Sequence, residues 1–340
     1  MEEKKLDLNS IIGFGLIFLI LVWVMYNSQQ NQAKEQLEKA KQEQVQKQAQ
    51  PKVEKPKVVV ADTSKAVVSD SVQVAQLKSS LGAFAYSAAL PSAKESYTTL
   101  ENKLVRLKIA NKGGYIVEAE MKQFEQFEKG TGKNVQIIKE GNADFNIQLK
   151  TTDNRLLNTR ELFFEPLVTK EGANQVLTLR LKASGTQYLE YRYVLKPNDY
   201  MLDFAIRSNG LNTVLNTANP LNLDWSLKSY RNEKSVSYEN RYTELIFEYE
   251  GGKDDYLGQG ESTSDEPVDV SYVAFKQHFF SAVLLTDTPF EKAVVVSENL
   301  VKDEEKDTIF TKNFKASVPL AFKNGEVNYN MNWYYGPTDY

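Results

Sequence analysis

Val327-Asn328-Tyr329-Asn330-Met331-Asn332-Trp333-Tyr334-Tyr335 decides the fold. Successive side chains of a strand point to opposite faces, so this run puts Val327, Tyr329, Met331, Trp333 and Tyr335 on one side and Asn328, Asn330 and Asn332 on the other. Such a strand needs a core on one face and tolerates water on the other. The same period of two recurs upstream. Val105, Leu107 and Ile109 share a face, Asn111-Lys112-Gly113-Gly114 supplies a turn, and residues 115–121 resume the alternation, which is a hairpin signal. Further alternating runs cover residues 145–149, 176–181, 189–195, 202–206 and 221–227, separated by turn clusters such as Lys196-Pro197-Asn198-Asp199 and Ser208-Asn209-Gly210. Between them no amphipathic stretch of about 12 residues is available for a crossover helix, which disfavours parallel pairing. The pattern predicts an all-β domain over residues 97–340, with two large antiparallel sheets packed face to face as a sandwich. Residues 251–267, long and polar, read as a surface excursion from it.

Upstream of residue 97 the pattern vanishes. Residues 28–96 read as a polar tether rich in Gln, Lys and Glu, interrupted by Pro51 and Pro56. A flexible coil of about 70 residues has a root-mean-square span of ~45 Å, enough to hold a domain clear of a membrane surface without orienting it. Within the tether, Leu81-Gly82-Ala83-Phe84-Ala85-Tyr86 carries aromatics suited to packing on the domain as a lead-in.

Residues 1–27 read as a transmembrane anchor. Ile11, Ile12, Phe14, Leu16, Ile17, Phe18, Leu19, Ile20, Leu21, Val22, Trp23 and Val24 form an apolar run, and Tyr26 suits the interface beyond it. Each Leu, Ile, Phe or Val contributes roughly −0.3 to −0.6 kcal/mol to insertion at the bilayer centre. A cleaved secretory signal would need small residues at a cleavage site, and Asn27-Ser28-Gln29-Gln30 supplies none. Orientation is poorly encoded, because Lys4 and Lys5 precede the run and Lys34, Lys39 and Lys41 follow it.

Chemistry is sparsely signalled. With no cysteine, the chain has no disulfide, thiolate or Cys-ligated zinc, and its net charge of −4 argues against a nucleic-acid surface. Gly113-Gly114 and Gly251-Gly252 lack the spacing of a phosphate-binding loop and read as turns. The single histidine, His278, lies in Lys276-Gln277-His278-Phe279-Phe280 among apolar neighbours. A catalytic role would need a carboxylate within hydrogen-bond reach, so the expected role is structural. No metal, cofactor or catalytic residue is expected.

Lys4-Lys5-Leu6-Asp7-Leu8-Asn9-Ser10-Ile11-Ile12-Gly13-Phe14, followed by one apolar helix and a Gln/Lys-rich tether, resembles the start of the YidC/Oxa/Alb family of membrane insertases. Leu100-Glu101-Asn102 through Gly113-Gly114, Tyr193-Val194-Leu195-Lys196-Pro197-Asn198-Asp199-Tyr200, residues 273–280 and Tyr334-Tyr335-Gly336-Pro337 are similar to segments of that family's periplasmic domain. The resemblance covers nearly the whole chain, in the order of its pieces. It implies a supersandwich fold, a cytoplasmic N-terminus, a periplasmic β domain and residence in the bacterial inner membrane. It also implies a non-enzymatic role in inserting and folding inner-membrane proteins, alone or with the Sec translocon. Partners so implied are the lipid bilayer, translocon components and nascent membrane proteins. The chain stops at Tyr340, before the point where the family has an interfacial helix and five further spans, so the groove that performs insertion is expected outside it. A different class, a membrane-tethered carbohydrate-binding or mutarotase-like sandwich, rests on fold analogy alone. Mutarotases resemble one another in using histidines with a carboxylate, and one histidine cannot supply two.

Overall fold

A computed structural model describes residues 70–127, 131–258 and 260–338. Residues 1–27, the expected anchor, lie outside the described residues, among which no helix is long and apolar enough to cross a membrane.

Strands β1 (Tyr97–Glu101), β2 (Val105–Ala110), β3 (Ile116–Glu125) and β4 (Asn134–Ile138) form a four-stranded sheet in chain order. A six-stranded sheet takes β5 (Ala143–Lys150), β6 (Leu156–Asn158), β11 (Leu221–Tyr230), β14 (Ser262–Asp265), β17 (Val294–Asn299) and β18 (Phe310–Leu320), in the order β14-β17-β18-β11-β5-β6. The nine-stranded sheet takes β7 (Glu165–Glu171), β8 (Asn174–Lys182), β9 (Tyr188–Leu195), β10 (Met201–Asn209), β12 (Glu244–Tyr249), β13 (Lys253–Leu257), β15 (Val268–Lys276), β16 (Phe280–Lys292) and β19 (Asn328–Pro337). Its order is β13-β12-β15-β16-β19-β10-β9-β8-β7. Every strand pairing is antiparallel, as the absence of crossover helices in the sequence requires.

The two larger sheets meet face to face through aromatic side chains. Trp225 of β11 stacks on Phe275 of β15 with ring centroids 3.7 Å apart, and it meets Trp333 of β19 edge-on at 4.9 Å. Phe145 of β5 makes edge contacts at 5.9 Å with Tyr191, Phe204 and Trp333 of the opposite sheet. The all-β sandwich read from the sequence is therefore the observed architecture, with the four-stranded sheet touching both larger sheets, at β11 of one and at β8, β16 and β19 of the other. On β19 the alternation holds as far as Trp333: Tyr329, Met331 and Trp333 are buried, while Asn328 and Asn330 are exposed. Tyr334 departs from it and is buried on the other face, against Tyr200, its hydroxyl donating to the Pro337 carbonyl at 2.5 Å.

Two segments differ from expectation. Residues 251–267, read as a loop, contain β13 and β14; both lie on sheet edges with nearly every side chain exposed, so neither carries an apolar period. Inside the stretch read as tether lies a helix, α1 (Asp70–Leu81), followed by a 3-10 turn at Gly82–Phe84 and a short helix, α2 (Ala85–Ala88). Phe84 is buried at 1% exposure, and Ser87 donates to the Phe163 carbonyl at 2.7 Å, so residues 82–88 do pack on the domain. Tyr86 stays largely exposed.

Gly113 and Gly114 form the β2–β3 turn with φ of +82° and +71°, which glycine alone adopts without strain. Gly114 also touches the core: a Cβ there would lie 2.8 Å from the Tyr191 ring, and its carbonyl accepts from the Tyr193 hydroxyl at 2.7 Å. Gly114→Ala should therefore destabilise the domain by roughly 2–4 kcal/mol in urea unfolding, combining backbone strain with overpacking. A loss below about 0.5 kcal/mol would show that the turn has room to move.

Candidate functional site

A cleft of about 770 Å³ opens where four segments converge. The end of β3 and the turn after it bring Phe124 and Phe127, and the loop after β11 brings Asn232, Glu233 and Lys234. The β15–β16 turn brings His278, Phe279 and Phe280, and the end of β19 brings Pro337 and Thr338. Behind the β11 loop a one-turn helix, α3 (Val236–Arg241), adds Glu239.

The β15–β16 turn is short because Gln277 N–H donates to the Phe280 carbonyl at 2.7 Å, closing a two-residue loop that leaves His278 and Phe279 at its tip. Buried Gln277 braces the turn from beneath: its amide donates to the Tyr230 carbonyl at 2.7 Å, and its side-chain oxygen accepts from Asn232 Nδ2 at 3.0 Å. From the other side Thr338 N–H donates to the Phe279 carbonyl at 2.8 Å. Phe280 packs edge-on against Phe124 at 5.2 Å, joining the four-stranded sheet to the turn.

His278 sits on the rim of the cleft. Its Nδ1 lies 2.9 Å from Glu233 Oε1, and its ring stacks on Tyr242 at 4.8 Å and lies against Phe279 at 3.9 Å. The carboxylate that the sequence could not locate is thus Glu233, 45 positions away in the chain. Beneath it, Glu239 is 1% exposed and accepts from the backbone N–H groups of Asn232 and Glu233 at 3.0 Å, clasping the β11 loop to α3. Burial pushes the Glu239 carboxyl up to about 7, against the lowering effect of those two N–H groups and with a further raising contribution from the charge of Glu233.

Of the residues singled out in the sequence, His278, Phe279, Phe280 and Pro337 line the cleft and Gln277 supports it. Lys276 turns away to pair with Glu244 at 2.9 Å and to donate to the Tyr242 carbonyl at 3.2 Å. Gly336 pairs with Ser281 and lies against Tyr334, and Gly113 and Gly114 sit in the β2–β3 turn outside the cleft lining. Phe124, Phe127, Glu233 and Glu239 carried no sequence signal: the first three meet partners distant in the chain, Phe280, Arg231 and His278, and Glu239 is held by a local clasp to Asn232 and Glu233. No group of three or more metal-ligating side chains occurs among the described residues.

Fold and cleft together define a large antiparallel β-sandwich domain with an apolar surface site whose acid-base groups include His278, Glu233 and Glu239. Residues 97–340 match the YidC periplasmic domain, and the chain belongs to that family. It is 33% identical over 274 residues to the membrane protein insertase YidC of Parabacteroides distasonis, covering 79% of this chain and 41% of that protein. The membrane protein insertase YidC of Phocaeicola vulgatus is 29% identical over 339 residues, covering 98% of this chain and 51% of its own length. This chain thus spans about half the length of the curated relatives it matches. Among solved structures, a galactose mutarotase-like protein from Lactobacillus casei superposes with a TM-score of 0.40 at 12% identity, over 71% of this chain and 100% of that one. An alpha-mannosidase from Enterococcus faecalis gives 0.41 at 10% identity, over 73% of this chain and 30% of that one. Neither likeness carries a functional argument.

The Glu239 clasp makes stability depend on pH. Folded Glu239 holds its proton to about pH 7, whereas an ordinary glutamate releases it near 4.5, so the folded state binds more protons between those values. Its stabilising contribution, on the order of 3 kcal/mol for such a shift, is complete below the lower value and lost as pH rises through the upper one. Urea unfolding across this window should show stability falling with pH, with the slope reduced in Glu239→Gln. Identical slopes in the two proteins would contradict the assignment.

Proposed function

We propose that this chain is the N-terminal and periplasmic portion of a membrane protein insertase that aids insertion and folding of inner-membrane proteins, alone or with the Sec translocon. The observation that carries the reading is the match of residues 97–340 to the YidC periplasmic domain, in a chain whose relatives are named insertases. In this reading residues 1–27 anchor the chain with its N-terminus in the cytoplasm, and residues 28–96 lead to a periplasmic domain spanning residues 97–340. The apolar residues 11–24 support the bilayer as the site of anchoring, since a run of that hydrophobicity favours insertion. The domain acts by docking and performs no covalent chemistry. Phe279, 54% exposed on the cleft rim, and Phe127 beside it supply the apolar contact surface that a docking site needs.

One contact favours a second reading, in which His278 and Glu233 form an acid-base pair for a sugar substrate. Against it, His278 is the single histidine of the chain, and Glu239 is tied up by backbone N–H groups. Retained folding with abolished mutarotation in His278→Asn would promote this reading.

The docking reading is tested with a photo-crosslinking residue at position 279, or at the exposed position 330 as a control, in membranes of cells synthesising inner-membrane proteins. Position 279 should crosslink to newly made membrane proteins or translocon subunits and position 330 much less. Equal yields, or none at 279, would overturn the reading.

A further inference from the structure

We infer that residues 79–96 are a strap that staples the three sheets together at the pole opposite the cleft, so that the chain joins the domain at a fixed point and the cooperative unit begins near Ser79. The strap is gripped in turn by each sheet. Arg155, in the β5–β6 turn of the six-stranded sheet, donates from Nε and Nη2 to the Ser79 carbonyl at 3.2 and 3.0 Å, closing the C-terminus of α1. Ser87 of α2 accepts from the Lys182 N–H, at the end of β8 in the nine-stranded sheet, at 3.3 Å. Asn111, directly after β2 of the four-stranded sheet, spends its whole amide on the strap. Its Oδ1 accepts from the Ser96 N–H at 2.7 Å, and its Nδ2 donates to the Ser92 and Lys94 carbonyls at 2.9 and 2.8 Å. Between these grips Phe84 enters the core that the sheets share. Undocking would open a cavity where Phe84 sits and strip the partners from the amide of Asn111, which is 2% exposed. Both costs are those of a core deletion, so the strap opens with the domain rather than fraying ahead of it.

Strand direction places all three grips far from the cleft. β3 has the turn beside Asn111 at its start, and Phe124 and Phe127 of the cleft at and just beyond its end. β11 starts beside Gln148 near the end of β5, whose following turn carries Arg155, and it runs to the Asn232–Glu233 loop of the cleft. In the nine-stranded sheet Lys182 pairs with Tyr188 and Tyr188 with Asn209, at one end of β10. The other end of β10 starts at Met201, opposite Tyr334 and close to the Pro337–Thr338 wall. The 10 residues of β11 separate the two poles by about 30 Å. The tether therefore meets the domain away from the cleft, and a molecule seated in the cleft has no need to displace the strap. This arrangement holds whatever the cleft binds, so it stands or falls separately from the docking reading.

The test uses the full chain in detergent micelles. Because the chain has no native cysteine, Tyr86→Cys and Asn330→Cys, at two exposed positions, accept a pair of spin labels, and their separation should follow one narrow distribution. Phe84→Ser should broaden that distribution and lower the melting temperature of the domain by about 6 °C or more. Asn111→Ala should lower it too, through the strap groups it leaves unpaired, whereas Phe84→Leu should keep most of the native melting temperature and the narrow distribution. A photo-crosslinking residue at position 279 should form no intramolecular product with residues 79–96. A broad distribution in the labelled chain with Phe84 intact would overturn the inference, as would a melting temperature unmoved by Phe84→Ser. So would a crosslink from position 279 into the strap. The distance and crosslinking measurements need no destabilised variant, so a Phe84→Ser protein that fails to fold leaves the inference open to refutation.

Discussion

The stacking of Trp225 on Phe275, reinforced by Trp333 edge-on, is the contact on which the rest of the molecule depends. It joins β11 of the six-stranded sheet to β15 and β19 of the nine-stranded sheet, so neither sheet keeps its apolar face without the other. Aromatic side chains bury roughly 150–250 Å² each, and a well-placed pair adds about 0.5–1.5 kcal/mol beyond burial. Phe145, Phe204 and Tyr191 continue the same cluster toward β5, β9 and β10. A chain without cysteine has only such packing to hold two large sheets together.

The cleft grows directly out of this cluster. Trp225, Phe275 and Trp333 lie on β11, β15 and β19, and the ends of those three strands become the Asn232–Glu233 loop, the His278–Phe279 turn and the Pro337–Thr338 segment. Hydrogen bonds then tie the three ends to one another: Gln277 to Tyr230 and Asn232, and Thr338 to Phe279. An apolar site with exposed phenylalanines would tend to collapse if its walls were independent loops. Anchored to a shared core, it can remain open, which is what the proposed docking role requires.

Much of the fold was legible because side-chain period reports directly on a strand with one buried face. The asparagines of β19 and the alternation of β2 and β3 around Gly113-Gly114 needed no tertiary information. Edge strands β13 and β14 escaped because exposure on both faces erases that period, and α1 escaped because Asp70-Ser71-Val72-Gln73-Val74 continues the polar, small-residue composition of the tether. The cleft was half legible. His278-Phe279-Phe280 and Gly336-Pro337 stood out through family resemblance, but their chemistry comes from Glu233, Glu239 and Asn232, brought in by pairings across 45 residues or by a local clasp that no motif announces. The stacking of His278 on Tyr242 and its place at the rim of a cleft both rest on contacts that the sequence alone does not display.

The claim that the cleft is an extension of the sandwich core can be measured in one unfolding experiment. Because the chain has no native cysteine, Phe279→Cys accepts a single fluorophore at the cleft, and Trp23→Phe leaves Trp225 and Trp333 as reporters of the inter-sheet core. Urea unfolding of the full chain in detergent, followed at both probes, should give coincident transitions with one midpoint, the behaviour of a single cooperative unit. A cleft signal that melts at clearly lower urea than the tryptophans would show that the site is an independent loop assembly and contradict the account.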